Sequence, residues 1–311
     1  MKSHSAGIAG VGHALPQRVV DNSAIAEQIG RTPEWIERRT GIRTRHWLAE
    51  GECLADICAK AARRALQDAS LAAGDVDLIL LATVSAEQSF PSVACRVQEQ
   101  LGCERAVAFD LSAACSGFVF ALSTAEAFVL SGKYRNILVI GGESLARLTN
   151  QKDPGSAHLF GDGAGAVLLR PWEECRQGRL EATGMGSDGA GGSRIEMREK
   201  IYLDGKAVYR FAVPKMTEVI REAMNGYDSD DLGLLIPHQA NRRLIESVGE
   251  RLHLRKDQVY INIDRVGNTS AASIPIALSQ AKAEGRLKSG QILVMPGMGA
   301  GWTWGWARVR W

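Results

Sequence analysis

The chain has 311 residues, 45% of them hydrophobic and 23% charged, with a formal net charge of +2. That length suits one large or two medium domains, and the composition excludes disorder, collagen and a disulfide-stapled miniprotein. The charge is too balanced for nucleic acid to be the main partner.

The opening MKSHSAGIAGVG lacks a long apolar core followed by a cleavage site, so no leader is expected and the chain is expected to be cytosolic. No apolar run reaches the roughly 18–20 residues of a membrane helix, so no membrane partner is expected. Apolar residues three and four apart predict a helix over Leu54–Leu66, and a short apolar run predicts a strand over Asp77–Val84. Pro91–Leu101 again has helical spacing, Phe109-Asp110-Leu111 has the look of a strand end, and Gly117–Leu130 is apolar and compatible with a helix. Further strands are predicted at Asn136–Ile140, Leu232–Ile236 and Gln291–Met295, with a helix over Arg242–Leu254. Gly161–Gly165 and Gly297–Gly301 have GxGxG form and are read as loops; neither continues into a dinucleotide fingerprint or a P-loop. Such alternation of strand and helix implies parallel sheets covered by helices.

Three pairs of segments recur at nearly constant offset. DVDLILLATV (Leu78) resembles DDLGLLIPHQ (Leu232) at 154 residues, and NILVIGGES (Asn136) resembles QILVMPGMG (Gln291) at 155. SAACSGFVFALS (Ser112) resembles SAASIPIALS (Ser270) at 158, with a two-residue gap. The order suggests a duplicated α/β unit, residues 1–172 and 173–311, whose halves stack as an α/β/α/β/α sandwich. The glycine-rich Gly184–Gly192 is read as a loop between them.

The six cysteines show no CxxC spacing and are expected as free thiols; no histidine cluster has zinc spacing, so no metal is expected. Cys115 stands out because it lies between a strand end and a helix start, where the helix dipole favours the nucleophilic thiolate. A buried cysteine in a tight turn is the plainer alternative. His238 directly follows a predicted strand, at the end that opens into the ligand crevice of an α/β sheet; a satisfied surface histidine would read the same. Asn268, in GNTSAAS, offers an amide donor at a turn or simply caps a helix. In the GxGxG segment near the C-terminus, the backbone N–H of Ala300 is a candidate oxyanion donor.

Taken together, DLSAACSGF, PHQAN and GNTSAAS, with EWIERRTGIRTRH, FPSVAC, FGDGAGAVLL and GAGWTWGWARVRW, resemble the thiolase-superfamily condensing enzymes, most closely β-ketoacyl-acyl-carrier-protein synthase III. The resemblance spans the chain and implies the duplicated, five-layered thiolase fold. It implies that Cys115 takes an acyl group from an acyl-CoA substrate, with no resident cofactor. His238 and Asn268 would then promote decarboxylation of malonyl-acyl carrier protein, and the backbone N–H groups of Cys115 and Ala300 would hold the tetrahedral oxygen. It further implies that Trp35 stacks adenine, that Arg39 meets phosphate, and that Lys206, Tyr209, Ala212, Asn241 and Met298 contact the substrate. Arg210, Arg243 and Arg251 would dock the acidic carrier protein; the segment Arg242–Lys256 carries five basic side chains against Glu246 and Glu250. Phe90 would enter the acyl pocket of a partner subunit in a homodimer.

Four positions depart from the family pattern: Pro154 replaces an adenine-clamping arginine, Lys206 an asparagine, Met298 a phenylalanine and Ala300 a glycine. They bear on CoA binding and on acyl-chain choice, because flexible Met298 would admit a longer or branched chain. The expected activity is the condensation that initiates fatty-acid synthesis. The alternatives are a starter-unit condensing enzyme or acyltransferase of a secondary-metabolite or signal-molecule pathway, and a non-catalytic partner subunit, which the presence of Cys115 disfavours.

Overall fold

The computed structural model describes residues 5–311. Met1–His4, on which the reading of the N-terminus partly rests, lie outside the described residues. Strands β1 (Ala6–Ala14), β2 (Arg18–Asp21) and β3 (Thr44–Trp47) are followed by β4 (Leu78–Ala82), β5 (Val107–Leu111), β6 (Ile137–Ser144) and β7 (Asp162–Pro171). Then come β8 (Arg179–Ser187), β9 (Ile195–Met197), β10 (Ile201–Leu203), β11 (Leu232–Leu235), β12 (Ile292–Gly299) and β13 (Thr303–Arg310). The helices are α1 (Asn22–Ile29), α2 (Pro33–Thr40), α3 (Leu54–Asp68), α4 (Val93–Leu101) and α5 (Gly117–Leu130) in the first part of the chain. They continue with α6 (Trp172–Cys175), α7 (Gly205–Ala223), α8 (Arg242–Arg251), α9 (Ile263–Val266) and α10 (Ser273–Ala283).

Strand pairing runs β5-β4-β6-β7-β1 and then β8-β13-β12-β11. Each half contains a parallel pair followed by antiparallel partners: β4 with β6 and then β7, β11 with β12 and then β13. The halves are not wholly separate sheets as expected, because the pair Gly7↔Arg179 joins β1 to β8 edge to edge.

Alternation along the strands builds the layers, since successive side chains point to opposite faces. In β4, Leu78, Leu80 and Ala82 enter the central core, whereas Ile79 and Leu81 pack outward under α3 and α4. In β12, Leu293 and Met295 face the same central core, and Ile292 and Val294 pack outward with residues of α7 and α8. Helices α5 and α10 fill the space between the sheets and are apolar nearly all round, as a helix buried on both faces must be. The resulting order is α3/α4, first sheet, α5/α10, second sheet, α7/α8, the five layers that the resemblance implies.

Several elements differ from the sequence reading. Gly184–Gly186 belong to strand β8, and only Gly189–Arg194 leave it as a 3-10 turn. The glycines serve packing: a Cβ on Gly184 or Gly186 would fall 2.5 Å from the indole nitrogen of Trp306 or Trp304. Gly161–Gly165 is largely the start of β7 rather than a loop, and a Cβ on Gly165 would meet the Ile276 backbone of α10 at 2.5 Å. The third repeat also shifts register. The 3-10 turn Ala114–Ser116 before α5 corresponds to Ser270–Ala272 before α10, an offset of 156 rather than 158, so Cys115 matches Ala271.

Candidate active site

Cys115 sits where β5 ends and α5 begins, which is the crevice end of a parallel strand. Ala114 before it holds φ at +47°, and its counterpart Ser270 holds +49°. Left-handed non-glycine residues cost about 1–3 kcal/mol each and persist only where packing dictates them. Here the turn is pinned by the Ser116 hydroxyl, which donates to Ala113 O at 2.7 Å and lies 2.8 Å from Thr303 Oγ1 of β13. Gly299 of β12 presses on the same turn, since a Cβ there would stand 2.6 Å from Cys115 N. This contact sets the Gly299-Ala300 segment beside the nucleophile's amide.

Cys115 is half-buried, and it lines the cavity described below. Burial accordingly pushes its thiol up to about 11, with a smaller opposing pull from the Ser270 hydroxyl. The helix terminus therefore does not lower this thiol as expected; desolvation outweighs it.

His238 follows β11, where its backbone N–H donates to Pro296 O at 2.9 Å. Its Nδ1 lies 2.7 Å from Ser273 Oγ, the first residue of α10. That hydroxyl also accepts the Gln239 N–H at 3.3 Å, and the pair of contacts fixes the imidazole in place beside the cavity. Burial holds the His238 imidazole down to about 4, so the ring is neutral near pH 7.

Asn268 is fixed by both its backbone and its side chain. Its N–H donates to Leu159 O at 2.9 Å and its carbonyl accepts from Gly161 N at 3.0 Å, which joins the FGDG and GNT segments in a short parallel bridge. Its side-chain oxygen accepts the Ser270 N–H at 2.9 Å. The amide is thereby oriented and Nδ2 is left as a donor. The side-chain oxygen thus closes a turn onto Ser270, while the N-cap of the following 3-10 turn is Thr269.

Cys115, His238 and Asn268 all line one cavity of about 460 Å³. Arg39, Lys206, Tyr209 and Asn241 belong to its wall, as do Ala212 and Met298 on the apolar side. Arg210 and Arg243 also line it and are exposed, which places cationic side chains at the opening. The Asn241 side chain is partly committed: its oxygen caps α8 and its amide donates to Arg39 O at 3.2 Å. Trp35 stands behind Arg39, with the guanidinium groups of Arg31 and Arg39 each 5.3 Å from its ring. Pro154 is not in the wall, although the next residue, Gly155, is.

Four expected residues are not in the cavity wall: Trp35 and Ala300, which adjoin wall residues Arg39 and Gly299, and Arg251 and Phe90, which lie apart. Arg251 ends α8 beside a separate depression shared with Tyr227 and His253. Phe90 is 83% exposed in the segment between β4 and α4; Val107 and Phe109 of edge strand β5 are exposed as well. Other residues escaped the sequence reading. Ser273, Glu143 and Trp302 lay within quoted segments without an assigned role, and buried His158 lay outside all of them.

Relatives decide the family. The description "3-Oxoacyl-[acyl-carrier-protein (ACP)] synthase III" fits residues 109–189, and its C-terminal counterpart fits residues 223–311. A beta-ketoacyl-[acyl-carrier-protein] synthase III of Clostridioides difficile is 43% identical over 98% of both chains. The chain belongs to the β-ketoacyl-acyl-carrier-protein synthase III family. It is therefore a transferase of the condensing type, with the thiolase-like fold. A 3-oxoacyl-[acyl-carrier-protein] synthase III structure from Aquifex aeolicus superposes with a TM-score of 0.95 at 41% identity, covering 98% of this chain and all of that one. The priming beta-ketosynthase of the R1128 polyketide pathway superposes with a TM-score of 0.93 at 33% identity, covering 98% of this chain and 96% of that one. Among the described residues, no helix is long and apolar enough to cross a membrane.

Proposed function

We propose that this chain joins an acyl-CoA primer to malonyl-acyl carrier protein with loss of CO₂, giving a β-ketoacyl-acyl carrier protein. The observation that carries this reading is the convergence of one thiol and two neutral donors, Cys115, His238 and Asn268, on a single cavity. The Cys115 sulfur attacks the primer thioester, and the backbone N–H groups of Cys115 and Ala300 hold the tetrahedral oxygen. Free CoA leaves. Malonyl-carrier protein then loses CO₂, and the enolate oxygen accepts from His238 Nε2–H and the Asn268 amide. Both donors are held before charge develops, which is where such groups lower a barrier most. The carbanion attacks the acyl-Cys115 thioester and releases the enzyme.

Trp35 and Arg39 receive the nucleotide end of CoA, Lys206, Tyr209 and Asn241 line the arm's path, and Ala212 and Met298 supply apolar wall. Arg210 and Arg243 face the acidic carrier protein; Arg251, outside the cavity, would act only as a distant part of that surface. CoA is a substrate, and the reading needs no resident cofactor or metal. The exposed Phe90 and the edge strand β5 suit a homodimer across that edge. Residues 1–172 bring the nucleophile and residues 173–311 bring His and Asn, in a cytoplasmic enzyme.

A product-formation assay with malonyl-carrier protein and a panel of acyl-CoA primers tests the reading. Cys115→Ala abolishes primer loading, and Asn268→Ala loads primer but releases CO₂ about 10²–10³ times more slowly. Equal condensation by Asn268→Ala would refute its role. The likeness to a polyketide priming enzyme favours one second reading, a pathway-specific starter enzyme, which the same panel reveals through preference for a longer or branched primer.

A further inference from the structure

The wall of the cavity has a charged part and an apolar part. Arg39, Lys206, Arg210 and Arg243 belong to the first, and all four are exposed. The apolar side chains gather by the reacting groups. Phe160 forms a parallel bridge with Asn268, and Leu203 of β10 packs against Leu159 and Phe160. Trp302 immediately precedes Thr303, whose hydroxyl lies 2.8 Å from Ser116 Oγ and 3.3 Å from Ala113 O, on either side of Cys115.

Trp302 is the bulkiest of these and is 6% exposed. Its ring lies flat on Phe211 of α7, with centroids 4.6 Å apart and planes 15° apart. Phe211 also meets the Trp304 ring at 6.3 Å, and the Lys215 ammonium stands 4.5 Å from that second indole. Gly191 closes another side, since a Cβ there would fall 1.8 Å from the Trp302 ring. The Trp302 backbone exchanges hydrogen bonds with Asp188, whose carboxylate accepts the Ala190 N–H, so the turn Gly189–Arg194 is folded onto the indole. A ring held on these sides does not swing aside, because close-packed surroundings offer no volume for it. Met298 shares the wall, but it packs with Ala212, Met216 and Leu244 in the outer core.

We propose that Trp302 sets the length of acyl chain that Cys115 accepts, its fixed indole confining the primer to short chains. The proposal deepens the reading of Cys115 as the acylated nucleophile and rests on it. The polar, charged arm of an acyl-CoA pairs with the cationic side chains at the opening, and the acyl group on the sulfur extends among the apolar ones, where its surface leaves water. A short acyl group fits beside the indole. A longer one needs space that the indole occupies, and adding methylenes to a well-packed site forces neighbours off their preferred positions. Phe211 is not in the cavity wall and acts on the chain only through the ring it holds, which makes it a positioning residue.

The test measures Cys115 loading rates by intact-protein mass spectrometry with acetyl-, butyryl- and octanoyl-CoA, in wild type, Trp302→Leu and Phe211→Leu, with thermal unfolding to establish that each variant folds. Wild type should load acetyl and butyryl groups at least about tenfold faster than octanoyl, the discrimination that a shaped apolar pocket supplies. Trp302→Leu should raise the octanoyl-to-acetyl ratio by at least about tenfold. Phe211→Leu, which keeps the indole but removes its support, should raise that ratio by a smaller factor. A purely structural defect would slow every primer alike, so the ratio decides and not the rate. Should Trp302→Leu fail to fold, Phe211→Leu carries the same decision. Wild type that loads octanoyl as fast as acetyl, or folded variants that keep the wild-type ratio, would overturn the proposal. Wild type that no primer loads would instead refute the acyl-enzyme reading.

Discussion

Ser273 Oγ stands 2.7 Å from His238 Nδ1 while accepting the Gln239 N–H, and this one hydroxyl fixes the orientation of the imidazole beside the cavity. Ser273→Ala should leave primer loading on Cys115 intact and slow release of CO₂ from malonyl-carrier protein. Loss of a residue that orients a neighbouring functional group costs about 10–100-fold by analogy with metal-site partners. Separate measurement of acyl-enzyme mass and of labelled CO₂ distinguishes the two half-reactions. Equal slowing of both would contradict the assignment.

The pH dependence of decarboxylation follows from the same residue. Burial lowers His238 to about 4, so its imidazole stays neutral from pH 8 down to about 5. Protonation sets in only as pH falls through 4. The CO₂-releasing half-reaction should therefore be flat across the range where an ordinary histidine titrates, near 6.5. Stopped-time CO₂ release at constant ionic strength checks this. An inflection near 6.5 that disappears in His238→Gln would show the ring to be solvated and ordinary.

Much of the fold was legible because its signals are local. A run such as Leu78–Ala82 has strand length and turn boundaries, and α5 is apolar nearly all round because two sheets cover it. The nucleophile's place was legible for the same reason, since a strand end and a helix start flank it. The ionisation of Cys115 was not, because desolvation depends on residues from β12, β13 and the Ser270 turn that arrive from far along the chain. Gly184 and Gly186 misled in a related way: glycine demanded by a tryptophan on the next strand has the same letter as glycine demanded by a turn. Arg251 shared a helix with Arg243, yet one end of α8 faces the cavity and the other does not.

Arg210 and Arg243 flank the cavity opening and are exposed. Arg210→Ala and Arg243→Ala should lower kcat/KM for malonyl-carrier protein by several-fold each, with little change for small acyl-CoA primers. The loss should shrink as salt rises, because exposed charges are screened over about 8 Å at physiological ionic strength. Steady-state rates at two salt concentrations measure it. A salt-independent loss would point to packing in place of steering.

The central claim is that Cys115 carries the acyl group, and intact-protein mass spectrometry after brief exposure to acetyl-CoA and to a longer primer tests it most directly. The account predicts one acyl adduct per chain, mapped to the peptide containing Cys115, absent in Cys115→Ala and discharged by malonyl-carrier protein. An adduct that survives in Cys115→Ala, or wild-type protein that turns over without ever gaining mass, would contradict it.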